Sequence, residues 1–136
     1  MFGRTAELKL TESSEVCLLF FTQDPSYGVE RSMLEEEEVQ ALNIGAVVTV
    51  GPLSGTLETV YPEALKQVTS EFRRIIGEVR KEYGRLVIAT SLPTPLCYWL
   101  GTALQYNHNV FAILELVRVD GTMKYQVAIN FRSLPT

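Results

Sequence analysis

The chain has 136 residues, 46% of them hydrophobic and 21% charged, which suits one ordinary globular domain over 1–136. A formal charge of −4 argues against a broad nucleic-acid surface, which needs an excess of Lys and Arg, but leaves room for a small anionic ligand held by backbone N–H groups. No apolar run reaches the roughly 18 residues of a membrane span, and "MFGRTAELKL" lacks the basic-then-apolar order of a leader, so a cytoplasmic protein with no membrane partner is expected.

The first element expected is "SEVCLLFFT" (14–22), an apolar run that reads as a strand buried on both faces. "QDPSYG" breaks it with turn residues. "VERSMLEEEEVQALN" (29–43) combines helix formers with four consecutive glutamates, and predicts a short solvated helix or an acidic loop. A metal-binding acidic cluster is the alternative, but four consecutive glutamates point in different directions on any regular element, which argues against it. "GAVVTVG" (45–51) is a strand between glycines, and the "PLSGT" after it lacks the Gly-Lys-Ser/Thr ending of a phosphate-binding P-loop.

From Val60, the apolar positions Ala64, Leu65, Val68, Phe72, Ile75, Ile76, Val79 and Tyr83 keep to one helical stripe. Pro62 suits its first turn and Gly84 its C-cap. Arg73, Arg74, Arg80 and Lys81 lie off the stripe as solvated charges. "RLVIAT" (85–90) is a short buried strand, and Pro93 or Pro95 opens a helix with Leu96, Trp99, Leu100, Ala103 and Leu104 on its apolar side. The two helical stripes hold more apolar surface than a small sheet needs, which predicts self-association. "NVFAILELV" (109–117) is a further strand; Asp120-Gly121 is a favoured hairpin turn, and Met123, Tyr125, Val127, Ile129 and Phe131 then alternate with Lys124, Gln126, Ala128 and Asn130. The expected fold is therefore α/β: a Rossmann-like sandwich with a mostly parallel central sheet and a C-terminal antiparallel hairpin.

Ligands of such sheets bind beyond the carboxyl ends of the strands, near a topological switch point. Two loops qualify. The first, after strand 14–22, offers Thr22, Gln23 and Asp24. The second, after strand 85–90, offers Thr90, Ser91, Pro93 and Thr94, and feeds a helix whose free N–H groups favour an anion. Plain capping of that helix by Ser91 or Thr94 explains the same residues and is the reading chemistry alone favours, with the ligand site as the alternative. No Ser/His/Asp, Cys/His or metal constellation is present, so no catalytic residue, metal or cofactor is assigned. His108 stands alone in "YNHN", a surface loop, and Asp24 and Glu115 are the carboxylates worth testing. Cys17 and Cys97 lie in apolar contexts and read as buried free thiols.

The order from Val60 to Phe131 resembles the second half of a SAVED domain, the CARF-related sensor of cyclic oligonucleotides in bacterial antiviral (CBASS and CRISPR-type) signalling. The residues that carry the resemblance are the long helix 60–83, "LVIAT", "SLPT", Pro93 with Gly101, "FAILEL" and Tyr125. Two positions depart from the family pattern. Thr102 stands where an arginine commonly follows the helix glycine, and Leu114-Glu115 stands for Tyr-Glu, so no ligand contact is carried over to them. The resemblance implies a CARF-like sandwich that binds a cyclic oligonucleotide or another small nucleotide. A full SAVED domain is two such halves, so the second half must come from a homo-oligomer or from a second CARF-like subunit. A ring nuclease that cleaves the same ligand, and an interaction subunit that binds none, are the alternatives.

Overall fold

The computed structural model describes residues 3–24, 28–51, 65–92, 94–104 and 109–131. They form an α/β fold on one mixed six-stranded sheet: β1 (Gly3–Lys9), β2 (Val16–Phe21), β3 (Ala46–Gly51), β4 (Arg85–Thr90), β5 (Val110–Val119) and β6 (Thr122–Asn130). A 3-10 turn (Arg31–Leu34) and a one-turn helix, α1 (Glu37–Gln40), lie between β2 and β3. The longer helices are α2 (Leu65–Glu82) and α3 (Thr94–Leu104). The strand order is β1-β3-β2-β4-β5-β6. β3, β2, β4 and β5 run parallel to one another, while β1 and β6 pair antiparallel at the two edges.

The side-chain period of two splits the strands' apolar residues between two faces. On the front, Cys17, Leu19, Phe21, Val48, Val50, Leu86 and Ile88 meet Phe72, Ile75, Ile76, Val79 and Tyr83 of α2 and its end, and Leu96 and Leu100 of α3. Phe72 stands edge-on to Phe21, with ring centroids 5.3 Å apart and planes at 89°. On the back, Leu18, Phe20, Val47, Val87, Ala89 and Leu114 are covered by Val29, Leu34, Val39, Leu42 and Ile44. The glutamate-rich segment is thus more than a solvated element, because its interleaved apolar residues close one face of the core. Of the glutamates, Glu35 pairs with Lys124 of β6 at 3.3 Å.

The crossovers follow from this layering. The chain moves from β2 to β3 over the back, then from β3 to β4 and from β4 to β5 in the other direction over the front. Opposite directions on opposite faces give one hand throughout, as parallel units require.

Three features differ from the sequence expectation. β1 is an additional strand, its side chains exposed apart from half-buried Leu8, and backbone pairing with β3 holds it in place. It is tied at the front by Tyr83, whose hydroxyl donates to Glu7 Oε1 at 2.6 Å, and by the Arg4–Glu82 ion pair at 3.0 Å. In β6, a register shift leaves Ala128 unpaired between Val127 and Ile129. This bulge takes Ile129 out of the alternation, and its side chain is 40% exposed. Finally, the apolar residues described on α2 are buried within one chain, as are Leu96, Leu100 and Ala103 of α3. The large apolar side chains left exposed are Tyr98, Leu116, Val119, Ile129 and Phe131, most of them on β5 and β6.

Candidate functional site

The sheet order places a topological switch between β2 and β4. From β2 the chain turns to β3 on one side, and β4 leads away to β5 on the other. In open α/β sheets, ligands bind beyond the carboxyl ends of the strands at such a point. Both loops picked from the sequence arrive there, because β2 and β4 pair in parallel with Phe21 opposite Thr90.

Thr22 joins them. Its backbone N–H donates to Val50 O at 2.9 Å, which fixes it against the end of β3. Its Oγ1 donates to Asp24 O at 3.0 Å and accepts the Asp24 N–H at 3.1 Å, closing a tight turn. The same oxygen accepts from Ser91 Oγ at 2.8 Å, while the Ser91 N–H donates to Phe21 O at 3.0 Å. One donor and two acceptor sites are all a hydroxyl offers. Thr22, 1% exposed, is therefore spent on holding the loops together, and positions the site rather than facing a ligand. Gly51 belongs to this joint: a Cβ there would run into the Thr22 carbonyl oxygen.

Thr90 Oγ1 accepts the Leu92 N–H at 3.0 Å, which turns the chain towards α3. Leu92 is buried, and its carbonyl accepts from Cys97 Sγ at 3.2 Å. Ser91 spends its one hydroxyl proton on Thr22. Ser91, Asp24 and Thr94 are exposed and Gln23 half-exposed, and these four form the accessible rim. Thr94 is the first residue of α3, a helix with no acidic residue in its first turn. Pro93 and His108 lie outside the described residues.

The remaining candidates are elsewhere. Glu115, exposed in the middle of β5, accepts from Gln126 Nε2 at 2.6 Å and is separated from the Asp24 loop by β4. The two carboxylates therefore do not form a pair. Thr102 donates to Tyr98 O one turn back in α3, at 3.2 Å. Leu114 is buried on the back face. Cys17 and Cys97 are free thiols; Cys17 is fully buried, and desolvation pushes its pKa up to about 12. Among the described residues no three His, Cys, Asp or Glu side chains gather as metal ligands, and no described helix is long and apolar enough to cross a membrane.

Sequence reasoning passed over a second concavity at the opposite end of the strands. Two adjoining clefts of about 190 and 390 Å³ share Thr11 and Asn43, and Arg31 and Gln40 line one, Ser13, Glu15 and Arg85 the other. The φ of +57° at Asn43 is a visible signal of the turn there, since asparagine tolerates the left-handed region. No protein-family model matches the chain, and no curated protein matches it.

Proposed function

We propose that the chain is a nucleotide-sensing module: a Rossmann-like, CARF/SAVED-like unit that takes a cyclic oligonucleotide second messenger at the crevice between β2 and β4. The observation that carries this reading is the Ser91–Thr22 hydrogen bond of 2.8 Å. It brings two loops, chosen independently from the sequence, to one switch point at the start of a helix. An α-helix N-terminus there favours the negative charge of a phosphodiester. Ser91, Thr94 and Gln23 offer polar groups suited to a ribose or a base edge. The choice of a cyclic oligonucleotide rests on the SAVED resemblance of residues 60–131. On that reading the sensing unit is completed by a second CARF-like half, from another copy or another subunit, and serves antiviral signalling in the bacterial cytoplasm.

The test is to incubate the protein with a panel of cyclic di-, tri- and tetranucleotides and analyse what is bound and what is released. One ring nucleotide recovered intact from the protein is the expected result. A linear product would make the chain a ring nuclease, and no bound nucleotide would make it an interaction subunit.

A further inference from the structure

The concavity at the amino ends of β2, β3 and β4 has walls fixed by hydrogen bonds. The N–H groups of Leu10 and Thr11 both donate to Gly45 O, at 2.8 and 3.1 Å. The Gly45 N–H donates to Val16 O at 2.9 Å, and the Arg85 N–H donates to Glu15 O at 2.9 Å. A Cβ on Gly45 would run into the Ser13 carbonyl oxygen, so the 11–15 segment packs directly against the residue before β3. The outer wall is pinned as well. Arg31 donates to Lys9 O at 2.7 Å and to Leu10 O at 3.3 Å, and Gln40 Nε2 donates to Leu34 O at 2.6 Å. Ligand sites are usually pre-formed in this way.

The larger cleft, of about 390 Å³, holds polar groups that the described chain leaves unused. Glu15 and Arg85 both line it, yet they form no ion pair with each other or with any described residue. The side-chain amide of Asn43 has no partner among the described residues either. Thr11 Oγ1 accepts the Ser13 N–H at 3.1 Å, and Ser13 Oγ accepts the Glu15 N–H at 3.3 Å. Each hydroxyl therefore keeps its proton to donate. The adjoining cleft, of about 190 Å³, is lined on its apolar side by Leu10, Leu34, Val39 and Ile44. An apolar cavity of roughly 150 Å³ already holds a benzene ring.

Charge decides what fits. An anion would meet Arg85 but face Glu15, and a cation the reverse. A neutral molecule would strip water from both charges without compensation. A ligand that carries both charges close together satisfies the two at once. We propose that this concavity binds a free α-amino acid with a branched aliphatic or aromatic side chain. Its carboxylate takes Arg85 and the hydroxyls of Thr11 and Ser13, and its ammonium takes Glu15 and the side-chain carbonyl of Asn43. The side chain enters the apolar cleft past Thr11 and Asn43, which line both clefts. The site lies at the opposite end of the strands from the β2–β4 switch point and does not depend on the nucleotide reading.

Titration with L-leucine and L-phenylalanine, followed through the amide chemical shifts of the isotopically labelled protein, tests it. The expected result is saturable binding of at least one of them, with shifts at Thr11, Ser13, Asn43 and Arg85 and none at Ser91. Isopentylamine and isocaproate each keep the leucine side chain and one of its two charges, and bind roughly tenfold more weakly or worse. Glycine, with both charges and no side chain, is weakened as well. Arg85→Gln and Glu15→Gln lower the affinity by a similar factor and leave the thermal melt unchanged, since neither side chain bonds to the described chain. Were a variant to unfold, the analogue series alone would decide. No binding of either amino acid, shifts confined to other parts of the sheet, single-charge analogues that bind as tightly as leucine, or folded variants that bind like the wild type would overturn the proposal.

Discussion

The two faces of the sheet are closed by different means. The front is covered by two regular helices whose apolar residues recur at i, i+3, i+4 and i+7, as Phe72, Ile75, Ile76 and Val79 do. The back is covered by a 3-10 turn that carries Leu34, one turn of helix that carries Val39, and the segment after it that carries Leu42 and Ile44. Both close the core to a similar degree, yet only the front does so through cooperative secondary structure. A short element depends on the sheet beneath it for its conformation, whereas a long amphipathic helix brings much of its own order.

That contrast predicts a ranking of core truncations. Phe72→Ala removes a fully buried ring from a helix that cannot easily collapse into the space, and costs about 4 kcal/mol of stability, read from urea unfolding. Leu34→Ala, 3% exposed in wild type, costs about 2 kcal/mol, because the short back segment can relax towards the sheet. Equal losses at the two positions would show that the back segment is as rigid as α2. Ser91→Ala is smaller still, about 1 kcal/mol, since it deletes one hydrogen bond of the loop joint and leaves Thr22 bonded to Asp24.

The smallest effect at neutral pH comes from titration. Burial raises the pKa of Cys17 and Tyr83 in front and of Tyr125 behind, pushing Cys17 and Tyr125 to about 12, and the hydrogen bond to Glu7 adds to the rise at Tyr83. A raised folded-state pKa means the fold favours the protonated form. The stabilisation is complete below the unfolded pKa and is lost as pH rises through the folded one. Stability is therefore flat around pH 7, and falls from the ordinary thiol range, about 8.5, towards 12. Cys17→Ala removes the lower-pH part of that fall and leaves the part due to Tyr83 and Tyr125, which begins near the ordinary phenol value of about 10. Unfolding midpoints followed across this range separate the thiol from the two phenols.

The same contrast explains what could be read from the sequence. The spans β2, β3, β4, β5, α2 and α3 were legible because burial imposes a period of two or 3.6, or a continuous apolar run such as "VCLLFF". β1 was not, because backbone pairing to β3 places no demand on the exposed side chains of "GRTAELK". The Ala128 bulge was hidden for a related reason: alternation in "TMKYQVAIN" runs on unbroken, and only the partner strand reveals the extra residue. At the site, Thr22, Asp24, Thr90 and Ser91 could be picked as loop residues at carboxyl ends. Their division of labour could not, since the Thr22–Ser91 bond spans 69 positions of sequence and depends on β2 pairing with β4. The clefts at the amino ends were missed because residues 11–15, 39–44 and 85 share no motif.

The central claim is that a nucleotide sits at the start of α3, beside the Thr22–Ser91 joint. Thr94→Glu tests it most directly, because Thr94 is exposed and first in the helix. A carboxylate at that end is neutral or favourable for folding by a few tenths of a kcal/mol, roughly, but it occupies the place of the ligand's negative charge. Calorimetric titration with the cyclic nucleotide panel, run beside a thermal melt, reads both effects. The account predicts an unchanged melt with binding lost. A variant that melts normally and binds a cyclic nucleotide as tightly as the wild type would contradict it.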